Sequence, residues 1–167
     1  MRKLTLAAAV LGLAAMVFGA EATSSGKMSL DISKAEPRQV EEATQQAIVR
    51  DYGKAWQNMS AALEQNRADL LGPSFTGFAK DKLTKAIEDQ KKNGLKRKYI
   101  DRGHKLQVVF YSVEGSAMEL RDTAQVEIQL LDGSKVVHSE QATVNYVALL
   151  TPTENSWKVR MLEAEPQ

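Results

Sequence analysis

His104 and His138 are the only two histidines in this 167-residue chain, and it has no cysteine. A thiolate nucleophile, a disulfide and a thiolate metal site are therefore excluded. His138 stands two residues before Glu140, a spacing that puts both side chains on one face of a strand, where a carboxylate could orient an imidazole base. The face itself depends on hairpin register, since a one-residue slip or a bulge reverses every side chain. The alternative for His138 is a surface histidine beside Glu127. His104 follows Asp101-Arg102-Gly103, where a solvated turn is the expected environment. Two distant histidines without cysteine do not form a zinc set, so no metal and no cofactor is expected. Gly72-Pro73-Ser74 lacks the second glycine of a nucleophile elbow, and neither a phosphate-binding Gly-Lys-Ser/Thr loop nor His-Glu-x-x-His occurs.

Two further sets can bind rather than react. Tyr52, Trp56, Phe110, Tyr146 and Trp157 are able to line an apolar pocket with hydroxyls as polar handles, although large aromatics at such spacings are more often plain core. Lys91, Lys92, Lys96, Arg97 and Lys98, continued by Arg102 and Lys105, form a basic stretch. Its ordinary role is to complement a helix C-terminus; its functional one is an interaction surface, centred on Lys96, Arg97 and Lys98, for an acidic partner or a phosphate-rich envelope surface.

Helices and strands must position these residues. Val40, Ala43, Ala47, Ile48, Tyr52, Ala55, Trp56, Met59 and Leu63 recur with helical period, and Pro37 suits the first turn of that helix. Asn66 and Gly72-Pro73 end it. A second helical pattern runs through Phe75, Phe78, Ala79, Leu83, Ala86 and Ile87 to a stop at Asn93-Gly94. The period then shifts toward two. Leu106, Val108 and Phe110 mark one strand; Ala124, Val126, Ile128 and Leu130 alternate with Thr123, Gln125, Glu127 and Gln129 in the next. Asp132-Gly133 is a hairpin turn, Val136 to Leu150 a third strand, and Trp157 to Leu162 a fourth. Helices first and an antiparallel meander afterwards predict an α+β class, with the apolar face of a four-stranded sheet buried under the N-terminal helices.

The N-terminus carries a different message. Arg2 and Lys3 precede an apolar run from Leu4 to Phe18, and Ala20-Glu21-Ala22 supplies small residues, the pattern of a signal peptide cut after Ala22. The expected organisation is a signal peptide over 1–22, a flexible lead-in or short edge segment over 23–36, and one domain over 37–167. The protein is thus expected in the periplasm or secreted, without stable membrane insertion after cleavage. With no cysteine to carry lipid, it is not a lipoprotein. The chain has 22 Lys and Arg against 21 Asp and Glu; loss of Arg2, Lys3 and Glu21 leaves 20 of each, so no general affinity for nucleic acid is expected.

Tyr52-x-x-Ala55-Trp56, the helical Ala79 to Lys92 segment, the hairpin series and the closing Ser156-Trp157-Lys158-Val159 together resemble the nuclear transport factor 2-like superfamily over residues 38–163. The resemblance implies a cone, with a curved sheet wrapped on a long helix and a pocket at the open end. Ketosteroid isomerase-like and polyketide cyclase-like (SnoaL-like) enzymes use that pocket, as do non-catalytic binding and dimerising members. Such enzymes need an acid or histidine facing the interior. The inward phase Ala124, Val126, Ile128 offers none, which favours a non-catalytic binding or interaction domain for a small apolar molecule or an envelope protein. The competing expectation is an isomerase, dehydratase or cyclase with His138 or Glu140 as base and Tyr52 or Tyr146 as donor. Val137, Val147 and Leu149, opposite in phase to Ala142, Val144 and Tyr146, suggest a homodimer through the outer sheet face.

Overall fold

The computed structural model describes residues 26–166; the signal-peptide reading and its cut after Ala22 fall outside them. The described residues form an α+β cone, in the order β1 (Lys27–Asp31), α1 (Glu42–Gln65), a short 3-10 turn (Ala68–Leu71), α2 (Gly77–Lys92), β2 (Leu95–Tyr111), β3 (Met118–Asp132), β4 (Lys135–Pro152) and β5 (Trp157–Ala164). The strands lie in one sheet in chain order, β1-β2-β3-β4-β5.

Helix α1 buries one stripe, with Ile48, Tyr52, Ala55, Trp56, Met59, Ala62 and Leu63 recurring at steps of three and four. It ends at Asn66, whose left-handed φ of 54° lets its own N–H close on the Ala62 carbonyl. The Asn66 side chain then ties three elements together: its Nδ2 donates to the Leu95 carbonyl at 3.0 Å, and its Oδ1 accepts from Gln90 Nε2 of α2 at 2.6 Å. The core closes with Phe75, Ala79 and Ile87 from the second helical region and Leu106, Val108, Leu120, Ala124, Val126, Ala148, Leu150 and Val159 from the sheet.

Three sequence expectations need correction. The sheet has five strands rather than four, because part of the supposed lead-in, Lys27 to Asp31, pairs in parallel with Gly103 to Gln107. Met28 and Leu30 pack on the core there, so this short edge segment has an apolar face to bury. Pro37 is not in a first helical turn. It bridges to Tyr111, whose N–H donates to the Glu36 carbonyl at 2.8 Å, and the helix starts only at Glu42. The basic stretch divides: Lys91 and Lys92 are exposed in the last turn of α2, where they complement the helix C-terminus, whereas β2 begins at Leu95 and makes Lys96, Arg97 and Lys98 half-buried strand residues.

Two register shifts in β2, between Asp101 and Gly103 and between Val108 and Phe110, decide what faces the core. Each inserts one residue and reverses the side-chain phase beyond it. Before the first bulge, Arg97, Tyr99 and Asp101 face the concavity; after it, His104, Leu106 and Val108 do; past the second, Tyr111 does, buried to 3% exposure, while Phe110 turns outward at 39%. Gly103 makes the first bulge feasible. Its φ is 151°, and a Cβ there would come within 3.3 Å of the Lys27 carbonyl.

Helix side chains and loops cover most of the sheet's open edges. Ser60 Oγ donates to the Tyr99 carbonyl at 3.0 Å, joining Asn66 in covering the start of β2. On β5, Thr76 N–H donates to the Val159 carbonyl, and Val159 N–H to the Ser74 carbonyl.

Candidate functional site

A chain of four polar side chains crosses the interior. Tyr52 from α1 donates its hydroxyl to Asp122 Oδ2 of β3 at 2.9 Å; the same oxygen lies 2.9 Å from His104 Nδ1 of β2. The other ring nitrogen of His104 stands 3.3 Å from Asp101 Oδ1. The bulge at Arg102 is the reason both Asp101 and His104 point inward, since without the extra residue an i, i+3 pair on a strand would face opposite sides. Outside the ring, Gly26 N–H donates to Asp101 Oδ2 at 3.0 Å. A side chain on Gly26 would collide with that carboxylate, so β1 closes over the network at its lower end.

The electrostatics follow from burial against pairing. Burial alone would lower the His104 pKa, but the two carboxylates, Asp101 and Asp122, overcome it and hold it up at about 9. His104 is therefore an imidazolium at neutral pH, donating from Nδ1 to Asp122. Burial would raise Asp101, yet the His104 cation more than offsets it and the carboxyl stays below its ordinary range. Burial, and then the Asp122 charge, push the Tyr52 hydroxyl well above its ordinary value. Trp56 packs on the imidazole with ring centroids 4.5 Å apart, and Tyr146 meets Trp56 edge-on at 5.4 Å.

The side chains of His104 and Asp122 are both fully covered. Among the described residues the buried polar atoms without a hydrogen-bond partner include Trp56 Nε1, His104 Nε2 and Asp101 Oδ1; three of them thus lie in or against this one network. Such atoms raise the cost of keeping the cluster buried.

Two of the sequence expectations are overturned here. His104 is not in a solvated turn but 2% exposed, and the inward phase of β3 does offer an acid, because Asp122 is in step with Ala124, Val126 and Ile128. Both residues were within reach of the alternation itself. His104 sits two positions before Leu106, and Asp122 two before Ala124; stopping the pattern at its last apolar residue hid them.

His138 and Glu140 do face inward, opposite Leu130 and Ile128 respectively, but far out on the sheet. Their side chains are 63% and 58% exposed, 3.6 Å apart. With Arg97, Tyr99, Ile128 and Leu130 they line a cavity of about 340 Å³ at the mouth of the cone, where β2, β3 and β4 run past the helix. The arrangement is an apolar floor with a mixed charged rim. Arg97, from the basic stretch, belongs to it; Lys98 instead pairs with Glu64 of α1 at 3.3 Å.

The five aromatics do not share one pocket. Tyr52 and Trp56 are sealed core at 1% and 3% exposure, Tyr146 is half-buried against them, and Phe110 points outward for the bulge reason given above. Trp157 lines a different, polar groove of about 530 Å³ with Arg50, Asp51, Lys54, Asn58 and Ser74. Asp51 is its organiser. Its Oδ2 accepts the Trp157 N–H at 2.8 Å, and Arg50 forks onto both carboxylate oxygens. Burial opposes the charge, but Arg50 and the amide prevail and lower its pKa. Replacing Asp51 with alanine should cost about 1–3 kcal/mol by leaving the β5 amide without its acceptor; a urea midpoint equal to wild type would contradict that role.

Compared with protein-family models and with curated proteins, the sequence finds no match. Solved structures do resemble it. The intermembrane space region of the chloroplast protein ARC6 aligns over 78% of this chain and all of that one, with 16% identity and a TM-score of 0.65. A protein described as a scytalone dehydratase from Novosphingobium aromaticivorans aligns over 75% of this chain and 89% of that one, with 12% identity and a TM-score of 0.50. At these identities the likeness is one of fold: two helices packed in an open, curved sheet, the nuclear transport factor 2-like cone.

Proposed function

We propose that the protein is an exported, non-catalytic binding domain that holds its ligand at the mouth of the cone. The observation carrying this reading is the make-up of the mouth cavity: the Tyr52–Asp122–His104–Asp101 chain has both its central side chains fully covered, whereas the mouth cavity is floored by Tyr99, Ile128 and Leu130, with His138 and Glu140 exposed on its rim rather than enclosed. A sealed ion network orders a core, while an apolar floor with a few charged groups on its rim is how small ligands and short peptides are held. The likeness to an intermembrane space region agrees with a domain working outside the cytoplasm. Native mass spectrometry of the mature protein taken from its own host tests the proposal. A bound molecule that is retained by wild type and lost on Ile128→Glu supports it; a molecule retained by that variant places binding elsewhere and defeats it.

A second reading rests on the interior network and on the likeness to a protein described as a dehydratase. Tyr52, Asp122 and His104 form a hydrogen-bonded donor and carboxylate series of the kind that moves protons, so an opening of the cone between Tyr99 and Trp56, now 6.2 Å apart centre to centre, would give an isomerase- or dehydratase-like enzyme. His104→Gln distinguishes the two. It would abolish turnover by an enzyme and leave mouth binding in place.

A further inference from the structure

We infer that the ligand of the mouth cavity is a small amphipathic acid, one carboxylate on an apolar body, with Arg97 as its anchor. The inference rests on the binding role proposed above and names the class of molecule that role serves. It starts from a cation without a counter-ion. Arg97 is half-buried on the inward phase of β2 and lines the cavity, yet among the described residues no carboxylate forms an ion pair with it. Its neighbours on the strand are provided for: Lys98 takes Glu64 and Arg102 takes Glu127.

A guanidinium does not lose its charge in a protein, and it presents paired N–H donors in a rigid fork matched to the two oxygens of a carboxylate. Half-burial beside apolar groups has removed part of its water, so an unpaired charge there is costly and an incoming anion recovers the loss. The strand register fixes what the rest of that molecule meets. Arg97 lies opposite Leu130, and Tyr99 opposite Ile128, so the charge stands at the edge of an apolar floor. Tyr146 lies deeper, edge-on to Trp56, and feels the charge of Arg97. Burial above all keeps the Tyr146 hydroxyl protonated, its pKa raised above the ordinary tyrosine value, so it adds a neutral polar handle and no competing charge.

Size and the far rim narrow the class. A volume of about 340 Å³ is near the low end of the range for small-molecule sites, which fits one short chain or a single ring. Across the cavity, on β4, Glu140 lies opposite Ile128. A second negative group would meet that carboxyl without a fork of its own, since among the described residues Arg97 is the only arginine or lysine lining the cavity. Dicarboxylates and phosphate esters are therefore disfavoured, and a cationic ligand is opposed by Arg97 itself. The polar groove at Trp157 differs, because its Arg50 already forks onto both oxygens of Asp51.

Titration with octanoate at about pH 7, followed by NMR of the protein taken from its own host, tests it, with octanamide as the uncharged match. Octanoate should shift the amides of Arg97, Tyr99, Ile128 and Leu130 and bind about tenfold or more tightly than octanamide, as hydrogen bonds to an ionised group outweigh neutral ones. Arg97→Gln should bring octanoate down to the octanamide level and leave octanamide where it was; Arg97→Lys, which keeps the charge without the fork, should fall between. Urea midpoints check that each variant folds, and the comparison of acid with amide on wild type needs no variant. An acid no tighter than its amide, both lost on Ile128→Glu, would overturn the carboxylate assignment while the mouth remains a binding site. No octanoate binding up to about 10 mM would likewise overturn this inference alone. Octanoate binding that survives Ile128→Glu lies outside the mouth and would overturn both this inference and the reading it rests on.

Discussion

Asp122→Ala lowers the unfolding free energy by about 3–5 kcal/mol, the range expected when one member of a buried ion pair is removed and its partner's charge stays behind. The carboxylate serves two elements at once, accepting from Tyr52 of α1 and from His104 of β2. Its loss strands both donors where water does not reach, because the His104 side chain is fully covered. Asp122→Asn is the informative companion: an amide oxygen can still take the Tyr52 hydroxyl, so the difference between the two variants isolates the charge. Urea unfolding at neutral pH measures both. A loss below about 1 kcal/mol for the alanine variant, the worth of an ordinary hydrogen bond, would mean that the network is not what locks helix to sheet.

Stability should also fall on the alkaline side, by about 3 kcal/mol between pH 6.5 and 9.5. His104 has a folded pKa raised to about 9 from an unfolded value of 6.5. A group of that kind contributes its full stabilisation below the unfolded value, where both states are protonated, and loses it as pH climbs through the folded value. Folding then has to proceed with a neutral ring between two carboxylates, Asp101 and Asp122. His104→Gln should remove this slope while lowering stability at pH 6. Thermal melts across the range check the slope, and the imidazole proton shifts of His104 followed by NMR check its origin; a wild-type curve flat from pH 6.5 to 9.5 rules the assignment out.

Element types and order were legible from sequence because they rest on periodicity, which local steric preferences enforce: α1, α2 and strands β3, β4 and β5 stand close to where apolar spacing puts them. The α+β layering followed from order, and the cone from the resemblance carried by that order together with the Tyr52, Trp56 and Trp157 positions. What alternation cannot reveal is where it skips. The inserted residues near Arg102 and Val109 put Phe110 outside and Tyr111 inside, and no composition signal marks a bulge in a continuous strand except a glycine such as Gly103, which has other uses. The interior network was hidden for an energetic reason. Charged residues seldom occupy core positions, so a strand pattern is naturally ended at the first one, and here His104 and Asp122 lie one step beyond the ends so chosen. His138 and Glu140 were placed on the correct side of their strand only conditionally, since their exposure depends on how far the sheet overshoots the helix, a length relation between distant elements.

The covering strand β1 has a kinetic meaning as well. The amide of Gly26, just before it, reaches Asp101 across 75 residues of chain, and among the described residues the strand's ladder partner is β2. Closing so long a loop for one short parallel strand gives little return until the rest of the sheet is already in place. β1 should therefore be the last strand to dock and the first to peel away. Amide hydrogens of Met28 to Asp31 should exchange with solvent through this local detachment, long before those of Leu120 to Val126 in the middle strand, and each such excursion would briefly uncover the Asp101 end of a core that is otherwise closed.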